Sequence, residues 1–544
     1  MLKWELIFKD KVEPQKILNI LLKNRNISTK EEKDFLNPKL SDVTIESVGI
    51  DKTGLTKAVK RINDAIKNKE QVVVFGDYDV DGICASAIIW ESLNRAGAKI
   101  MPYIPNRLEE GYGLSVKGIE NLLKELKDTK LIITVDNGIV AEKAVDFANS
   151  LGIDVIVTDH HVPAKTLPKA HAIVHTTNLC GAGVAYMLSK EFKKKEDYDD
   201  HLELAVLATI ADLVPLKNAN RVIVKYGLLK LRETKRPGLL ALFKEAAINQ
   251  KEIGVYEIGH MIAPRLNAMG RLESAMDSLR LVCTKDKKRA EELSYLLGST
   301  NKERQQVTEE TVIHAKSFVK AQKNLGNLLF VSHKSYQQGV IGLVAGRLVE
   351  EFYLPSIVIA EGDTYSKASA RSIAGFNIIE FIRSASDLLV DAGGHPMAAG
   401  FTVETGKIDL LKERLYVEAA KLINEELKNR ILKIDCELSL SSIDDKLHKE
   451  IKNLEPFGMG NSQPVFVSRK VKVEGLRVVG NGSKHLKLIV SEDGRKIDAI
   501  AFGAGEKAEG LKVGDLIDIA YQIDENVWNG NKSIQLKIRD FKIL

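Results

Sequence analysis

The chain has 544 residues, 28% of them charged and 44% hydrophobic, and carries a net charge of +5. These are the values of an ordinary soluble globular protein long enough for several domains, and so small a net charge means that any nucleic-acid groove must come from local arrangement. No apolar run approaches the ~20 residues of a membrane span, the start MLKWELIFKDK has no signal core, and Cys84, Cys180, Cys283 and Cys436 lack CxxC spacing, so disulfides and zinc knuckles are disfavoured and a reducing cytoplasm is the expected setting.

Residues 1–45 read as a polar, mostly helical lead-in with no evident chemistry. Residues 46–225 form the first predicted domain, in which QVVVF (71–75), KIMPYI (99–104), LIITV (131–135), DVIVT (154–158) and HAIV (171–174) alternate with amphipathic helices. Short, nearly continuous Val/Ile runs between helices predict a parallel sheet covered on both faces, with ligands gathered beyond the carboxyl ends of its strands. An apolar helix, LELAVLATIADL (202–213), closes this part. Residues 226–322 form a helical connector ending in one long, highly charged helix over 285–322. Residues 323–428 read as a second α/β domain, with strands NLLFVS (327–332) and PSIVIA (355–360) and then a Gly-rich stretch ending in AGGHPMAAGF. Residues 429–544 carry about five short strand-like runs between Gly- and Asn-bearing turns, the size of a small closed β-barrel such as an OB-fold.

Four stretches carry Asp and His where apolar elements end: FGDYDVDG (75–82), VDNG (135–138), TDHH (158–161) and ADLVP (211–215). Asp77, Asp79 and Asp81 stand at i, i+2 and i+4, on one side of an extended segment. Carboxylates crowded on one edge repel one another, and a divalent cation relieves them. With Asp136, Asp159, His160, His161 and Asp212 there are donors enough for two ions. The oxygen-rich set suits Mn²⁺ or Mg²⁺ better than zinc. A lone Asp after a strand is usually a turn former or helix cap; four such motifs in order point to a metal site and to phosphodiester hydrolysis.

DYDVDG, DNG, TDHH and ADLVP resemble the four acidic motifs of the DHH phosphoesterase superfamily. The further segments EGYGL (110–114), LCGAGVA (179–185), APRLNAMGR (263–271), GVIGLVAGRLVE (339–350), SARS (369–372), GGHPMAAG (393–400), LEPFGMGN (454–461) and WNG (528–530) are similar to one branch of it, the bacterial RecJ family of single-strand-specific exonucleases. The resemblance runs from about residue 70 to the last residue. It implies a parallel-sheet DHH domain, a second α/β domain of the DHHA1 type joined by the long helix, and a C-terminal OB-fold. It implies two-metal removal of 5′ nucleotides from single-stranded DNA, in a cleft between the first two domains. By position in the family motifs, Asp79, Asp81, Asp136, His160 and Asp212 are metal ligands, and Asp136 is the candidate bridge. Asp77 acts from behind them, His161 meets the scissile phosphate, and Asp159 orients His160 through its other ring nitrogen. Ser369 and Arg371, with Gly393, Gly394 and His395, are expected to hold a terminal phosphate or nucleotide; Arg107 and Tyr112 would join them. Arg265, Asn267 and Arg271 are placed on the DNA track, against the plainer reading that Pro264 and Gly270 only open and close a helix. Phe466 and Trp528 are candidate stackers for which core packing is an equal expectation. Single-strand-binding protein and a helicase are expected partners of a chain that works as a monomer, with no membrane role.

The chain departs from the family pattern after TDHH: the loop before LCGAG is short, and His175 stands where Asn is expected. Two other readings compete with the exonuclease. One is a phosphodiesterase of short oligonucleotides or cyclic dinucleotides, against which the C-terminal barrel counts. The other is a non-catalytic DNA-binding replication scaffold, against which the intact Asp and His set counts.

Overall fold

The computed structural model describes residues 2–544 except Lys11, 107–109, Tyr112, 323–324 and 529–530. It divides into two compact units, one mainly Tyr295–Ile431 with Ala268–Ser274, the other Trp4–Asn267, Ala275–Ser294 and Leu432–Leu544. No described helix is long and apolar enough to cross a membrane.

In the larger unit, the five expected Val/Ile runs are strands β1 (Gln71–Phe75), β2 (Lys99–Tyr103), β3 (Thr129–Val135), β4 (Asp154–Asp159) and β5 (Ala172–His175). They form an all-parallel sheet in the order β2-β1-β3-β4-β5. Every residue of β1 is buried, which is why no polar alternation marks that strand. The chain leaves β1 for β2 on one side and returns to β3 on the other, so the carboxyl ends of β1 and β3 flank a topological switch point, where ligands bind in such sheets. Three helices pack nearby: α1 (Val80–Arg95), α2 (Gly181–Ser189) and α3 (Leu202–Ala211). All nine residues of α2 and all of α3 but Glu203 and Ala211 are buried, as expected of helices apolar all round.

The ends of α1 and α3 remote from the acidic motifs are tied by a buried knot of charge. Arg236 donates to both Glu91 oxygens (2.6 and 2.9 Å) and to Glu203. His201, fully buried, has Nε2 2.9 Å from Glu91 and Nδ1 2.6 Å from Lys193 Nζ. A neutral ring that donates from Nε2 and accepts at Nδ1 satisfies both partners.

The lead-in also has a structural task. Ile17, Ile20, Leu21, Leu22 and Phe35 share one apolar core with barrel residues such as Phe466, Leu486 and Ile519. From α4 (Asn218–Arg232), Arg221 is 1% exposed and donates to the carbonyls of Phe35 (2.8 Å), Leu454 (2.9 Å) and Glu455 (2.7 Å). The LEPFGMGN motif meets the fourth acidic motif here: the Leu216 N–H donates to the Met459 carbonyl at 2.7 Å. A π turn at Ile258–Ile262 leads into α5 (Ala263–Leu272). Gly270 lies inside this helix and does not close it, contrary to the punctuation reading. The single helix expected over 285–322 is α6 (Lys287–Ala321).

In the smaller unit, β6 (Leu329–His333), β7 (Ser356–Ala360), β8 (Tyr365–Arg371), β9 (Leu389–His395) and β10 (Ala398–Glu404) form a mixed sheet in the order β9-β10-β8-β7-β6. Only β6 and β7 pair in parallel. The Gly-rich stretch is thus a β-hairpin, hidden in the sequence because Gly and Ala are poor strand formers. Helix α7 (Ile341–Phe352) packs on this sheet through Ile341, Val344, Ala345 and Leu348.

The C-terminal strands are β11 (Phe466–Val479), β12 (His485–Glu492), β13 (Arg495–Ala501), β14 (Leu516–Trp528) and β15 (Asn531–Ile543). They close as β11-β12-β13-β15-β14-β11, with only β13 and β15 parallel. This is a five-stranded barrel of the OB type.

Candidate metal centre

The DYDVDG segment turns from β1 into α1. Asp79 is the N-cap of α1, its Oδ1 accepting the N–H groups of Asp81 (2.9 Å) and Gly82 (3.1 Å). Asp77 Oδ1 accepts the N–H of Tyr78 at 2.8 Å. Asp81 is 2% exposed, and its two oxygens accept the N–H groups of Gly181 and Ala182, each at 2.6 Å. These amides begin α2, the positive end of its dipole, a favourable seat for a carboxylate. Gly181 has to be bare: a Cβ there would lie 2.5 Å from that of Asp136.

Asp136 follows β3 with φ of +62°, a conformation few side chains adopt. Its N–H donates to Thr158 on the neighbouring strand at 3.0 Å. Asn137 locks the turn, donating to the carbonyls of Phe75 and Val135 and accepting the Leu114 N–H. That contact gives EGYGL a structural role beside Asp136. After β4, Asp159 Oδ1 accepts the N–H groups of His160 (2.7 Å) and His161 (3.1 Å) and stands 2.8 Å from His161 Nδ1; Oδ2 accepts the N–H of Ile139 (2.9 Å). The Asp159 carboxylate therefore orients His161 and not His160, a correction to the sequence reading: the backbone turns so sharply that the second imidazole folds back over it.

His160 points into the carboxylates instead. Its Nε2 lies 3.2 Å from Asp136 Oδ1, 3.7 Å from Asp81 Oδ2 and 3.8 Å from Asp212 Oδ2. Asp212 caps the carboxyl end of α3. His175, the departure from the family pattern, has Nε2 2.7 Å from the His161 carbonyl oxygen and so steadies the DHH turn.

Among the described residues, three sets have ligand atoms within 4.8 Å of one another: Asp77, Asp79 and Asp136; Asp81, His160 and Asp212; and Asp136, His160 and His161. Asp136 belongs to two of them. Burial and the neighbouring carboxylates push the acids up: Asp79 rises, Asp136 rises far, and Asp212 reaches about 8. Burial holds His160 down. Burial opposes protonation of His161 too, but its bond to Asp159 outweighs this and raises it. Among the described residues no donor hydrogen-bonds to the buried Asp136 Oδ1. A site of mutually repelling carboxylates, one buried oxygen without a donor and an imidazole turned toward them fits hard divalent cations.

Other predicted residues lie in the smaller unit. Arg371 donates to the Ser369 hydroxyl at 3.0 Å. A Cβ on Gly342, in the first turn of α7, would come within 2.8 Å of Arg371 Nη2 and 3.0 Å of Ser369 Oγ. Arg271 donates to the Gly339 carbonyl at 3.0 Å, so Arg271, Ser369 and Arg371 gather at the α7 N-terminus. Gly393 and His395, on exposed β9, stand in the same cross-strand rows as Ser369 and Arg371, with only Gly400 and Ala398 between them; Gly394 lies between those rows with φ of +142°.

For Arg265 and Asn267 the surroundings differ from the expected DNA track. Arg265 is bound to Glu245 (2.5 Å) and the Met261 carbonyl (2.8 Å), and Asn267 to the Val80 N–H (2.8 Å). Phe466 is fully buried, a core residue and not a stacker. Arg107, Tyr112 and the side chain of Trp528 lie outside the described residues. Sequence reasoning missed Asn137, Gly342 and the role of His175. The DNG motif and the family mismatch were the available signals for the first and third; Gly342 carried none, since its need for a bare Cα appears only when α7 meets β8.

The chain matches the family models described as DHH family, N-terminal domain (residues 71–213), DHHA1 domain (325–428) and RecJ OB domain (434–540). It is 36% identical over 498 residues to the single-stranded-DNA-specific exonuclease RecJ of Bacillus subtilis, covering 90% of this chain but 63% of that protein, so the chain spans under two thirds of that relative's length. To the protein of the same name from Salmonella typhimurium it is 31% identical, covering 90% of each. The crystal structure of Thermus thermophilus RecJ in complex with Mn²⁺ is similar with a TM-score of 0.82 at 28% identity, covering 99% of this chain and 79% of that one. With all three domain models matched in order and that identity across nine-tenths of both chains, this chain belongs to the RecJ family.

Proposed function

We propose that the chain is a metal-dependent exonuclease that removes nucleotides from the 5′ end of single-stranded DNA by phosphodiester hydrolysis, in DNA repair and recombination. The observation that carries this reading is the gathering of Asp77, Asp79, Asp81, Asp136, His160, His161 and Asp212 into overlapping ligand sets at the sheet's switch point, in a chain of the RecJ family. Asp79, Asp81, Asp136, His160 and Asp212 would hold two Mn²⁺ or Mg²⁺ ions, Asp136 being common to both, with Asp77 behind them. When bound, such ions supply Lewis acidity and a water acidic enough to attack near neutral pH.

The protein's own part is placement. The first amides of α2 hold the Asp81 carboxylate still. Asp159 keeps His161 in one orientation and favours its protonated form, which suits contact with a phosphate oxygen. Arg271, Ser369 and Arg371 at the α7 N-terminus, with Gly393, Gly394 and His395, would bind the terminal phosphate, where a guanidinium fork and helix amides both favour an anion. The barrel would bind the strand without sequence preference. Single-strand-binding protein and a helicase as partners, a monomeric working form and a cytoplasmic setting belong to the same proposal.

The test is digestion of a 3′-labelled single-stranded oligonucleotide with Mn²⁺ or Mg²⁺, beside a blunt duplex and a matching RNA. A ladder shortening from the 5′ end on the single strand alone is the expected result. Cleavage confined to di- and trinucleotides would move the chain to the short-oligonucleotide phosphodiesterases. Tight binding without cleavage in either metal would make it a scaffold.

A further inference from the structure

We infer that Asn267 is a positioning residue of the metal loop, not a contact to nucleic acid. The inference rests on the proposed metal centre and names what holds it in shape from 187 residues away in sequence.

The first amides of α1 lie within the loop that carries Asp77, Asp79 and Asp81. Such amides have no partner inside their own helix. Asp79 Oδ1 takes those of Asp81 and Gly82. The amide of Val80, between two proposed ligands, is taken by Asn267 Oδ1 at 2.8 Å. Without that acceptor, the Val80 N–H would compete for the loop's own carboxylate lone pairs, the ones a cation needs.

Asn267 is itself rigidly placed. Leu266 beside it is fully buried, and its carbonyl accepts from the Ser278 hydroxyl at 2.8 Å. Arg265, two residues earlier, is pinned to Glu245 and to the Met261 carbonyl. The π turn at Ile258–Ile262 inserts one residue into the helical path, which rotates every later side chain by about 100°. The Asn267 side chain meets the loop in that rotated register. Helix α5 therefore delivers an acceptor to the acidic loop, where a hydrophobe would leave the Val80 amide unpaired.

The two readings predict opposite orders for two substitutions in the full-length chain. Asn267→Leu removes the acceptor, and Asn267→Asp keeps it. If Asn267 positions the loop, Asn267→Leu weakens Mn²⁺ binding about tenfold, measured by titration calorimetry without DNA. Its kcat on single-stranded DNA then falls at limiting Mn²⁺ and recovers with excess, KM for DNA is unchanged, and Asn267→Asp binds Mn²⁺ as the wild type does. If Asn267 contacts DNA, both variants bind Mn²⁺ normally and raise KM, Asn267→Asp more steeply because its carboxylate repels phosphate; that result overturns the inference. Should Asn267→Leu melt early, Asn267→Asp decides alone by its KM. A wild-type chain that binds no Mn²⁺ overturns the metal centre and this inference together; wild-type binding with an unaltered Asn267→Leu overturns this inference only.

Discussion

The left-handed backbone of Asp136 and the bare Cα of Gly181 are two sides of one constraint. A carboxylate common to two ligand sets has to approach the α2 N-terminus more closely than a side chain on that helix allows. Gly181→Ala would put a methyl 2.5 Å from the Asp136 Cβ and 2.7 Å from its Oδ1. Both atoms belong to a buried residue held by its neighbours, so the overpacking is expected to cost about 1–3 kcal/mol. A lowered thermal midpoint together with weaker Mn²⁺ binding in a titration is the expected outcome; a variant that melts early and binds Mn²⁺ normally would show that Asp136 is not a ligand.

Among the elements, α7 and β8 bring Arg371 and Ser369 to a helix N-terminus only because Gly342 lacks a side chain. Here the atoms in the way are the ends of flexible side chains, so the fold tolerates a methyl that the proposed terminal phosphate would not. Gly342→Ala should leave stability unchanged or raise it by up to about 1 kcal/mol, since Ala favours a helix over Gly. It should raise KM several-fold for a 5′-phosphorylated oligonucleotide and leave a 5′-hydroxyl one unaffected. Equal effects on both substrates would remove the terminal phosphate from this site. The α1–α3 pair shows the same division between chemistry and support. Asp79, Asp81 and Asp212 stand at one end of these helices, and the Arg236–Glu91–Glu203 knot fastens the other.

That knot makes the stability of the larger unit pH-dependent. Burial and Lys193 hold His201 down to about 4 in the fold, against the attraction of Glu91. The unfolded chain therefore takes up this proton first, near the ordinary value of about 6.5. The stabilisation is complete above about pH 6.5 and is lost as pH falls toward 4. Burial alone would raise Glu91, but bonds from His201 and Arg236 take it to about 2, so its contribution disappears at still lower pH, between about 4.5 and 2. The thermal midpoint should fall steadily from pH 7 to 4.5, by an amount corresponding to about 2–3 kcal/mol for His201. His201→Gln should flatten that slope while lowering the midpoint at pH 7; an unchanged slope would place the acid sensitivity elsewhere.

Much of this protein was legible from local pattern. Hydrophobic period and run length marked the parallel strands, the long helix and the barrel strands, because burial on one or both faces dictates them segment by segment. Acidic residues placed where those elements end pointed to the metal centre, because strand ends in a parallel sheet converge on one edge. The hairpin around Gly393 and Gly394 escaped notice, since its residues have weak strand preference and are ordered by the neighbouring strand β8. What the tertiary structure alone decided are the pairings between residues far apart in the chain: Asp159 with His161 and not His160, Val80 with Asn267, Gly181 against Asp136, and the lead-in's Phe35 beneath Arg221. The sequence determined which groups were available and which elements would carry them. Their partners were settled by backbone turns, helix registers and close approaches such as that of Gly181 to Asp136, which exist only once separate elements have packed.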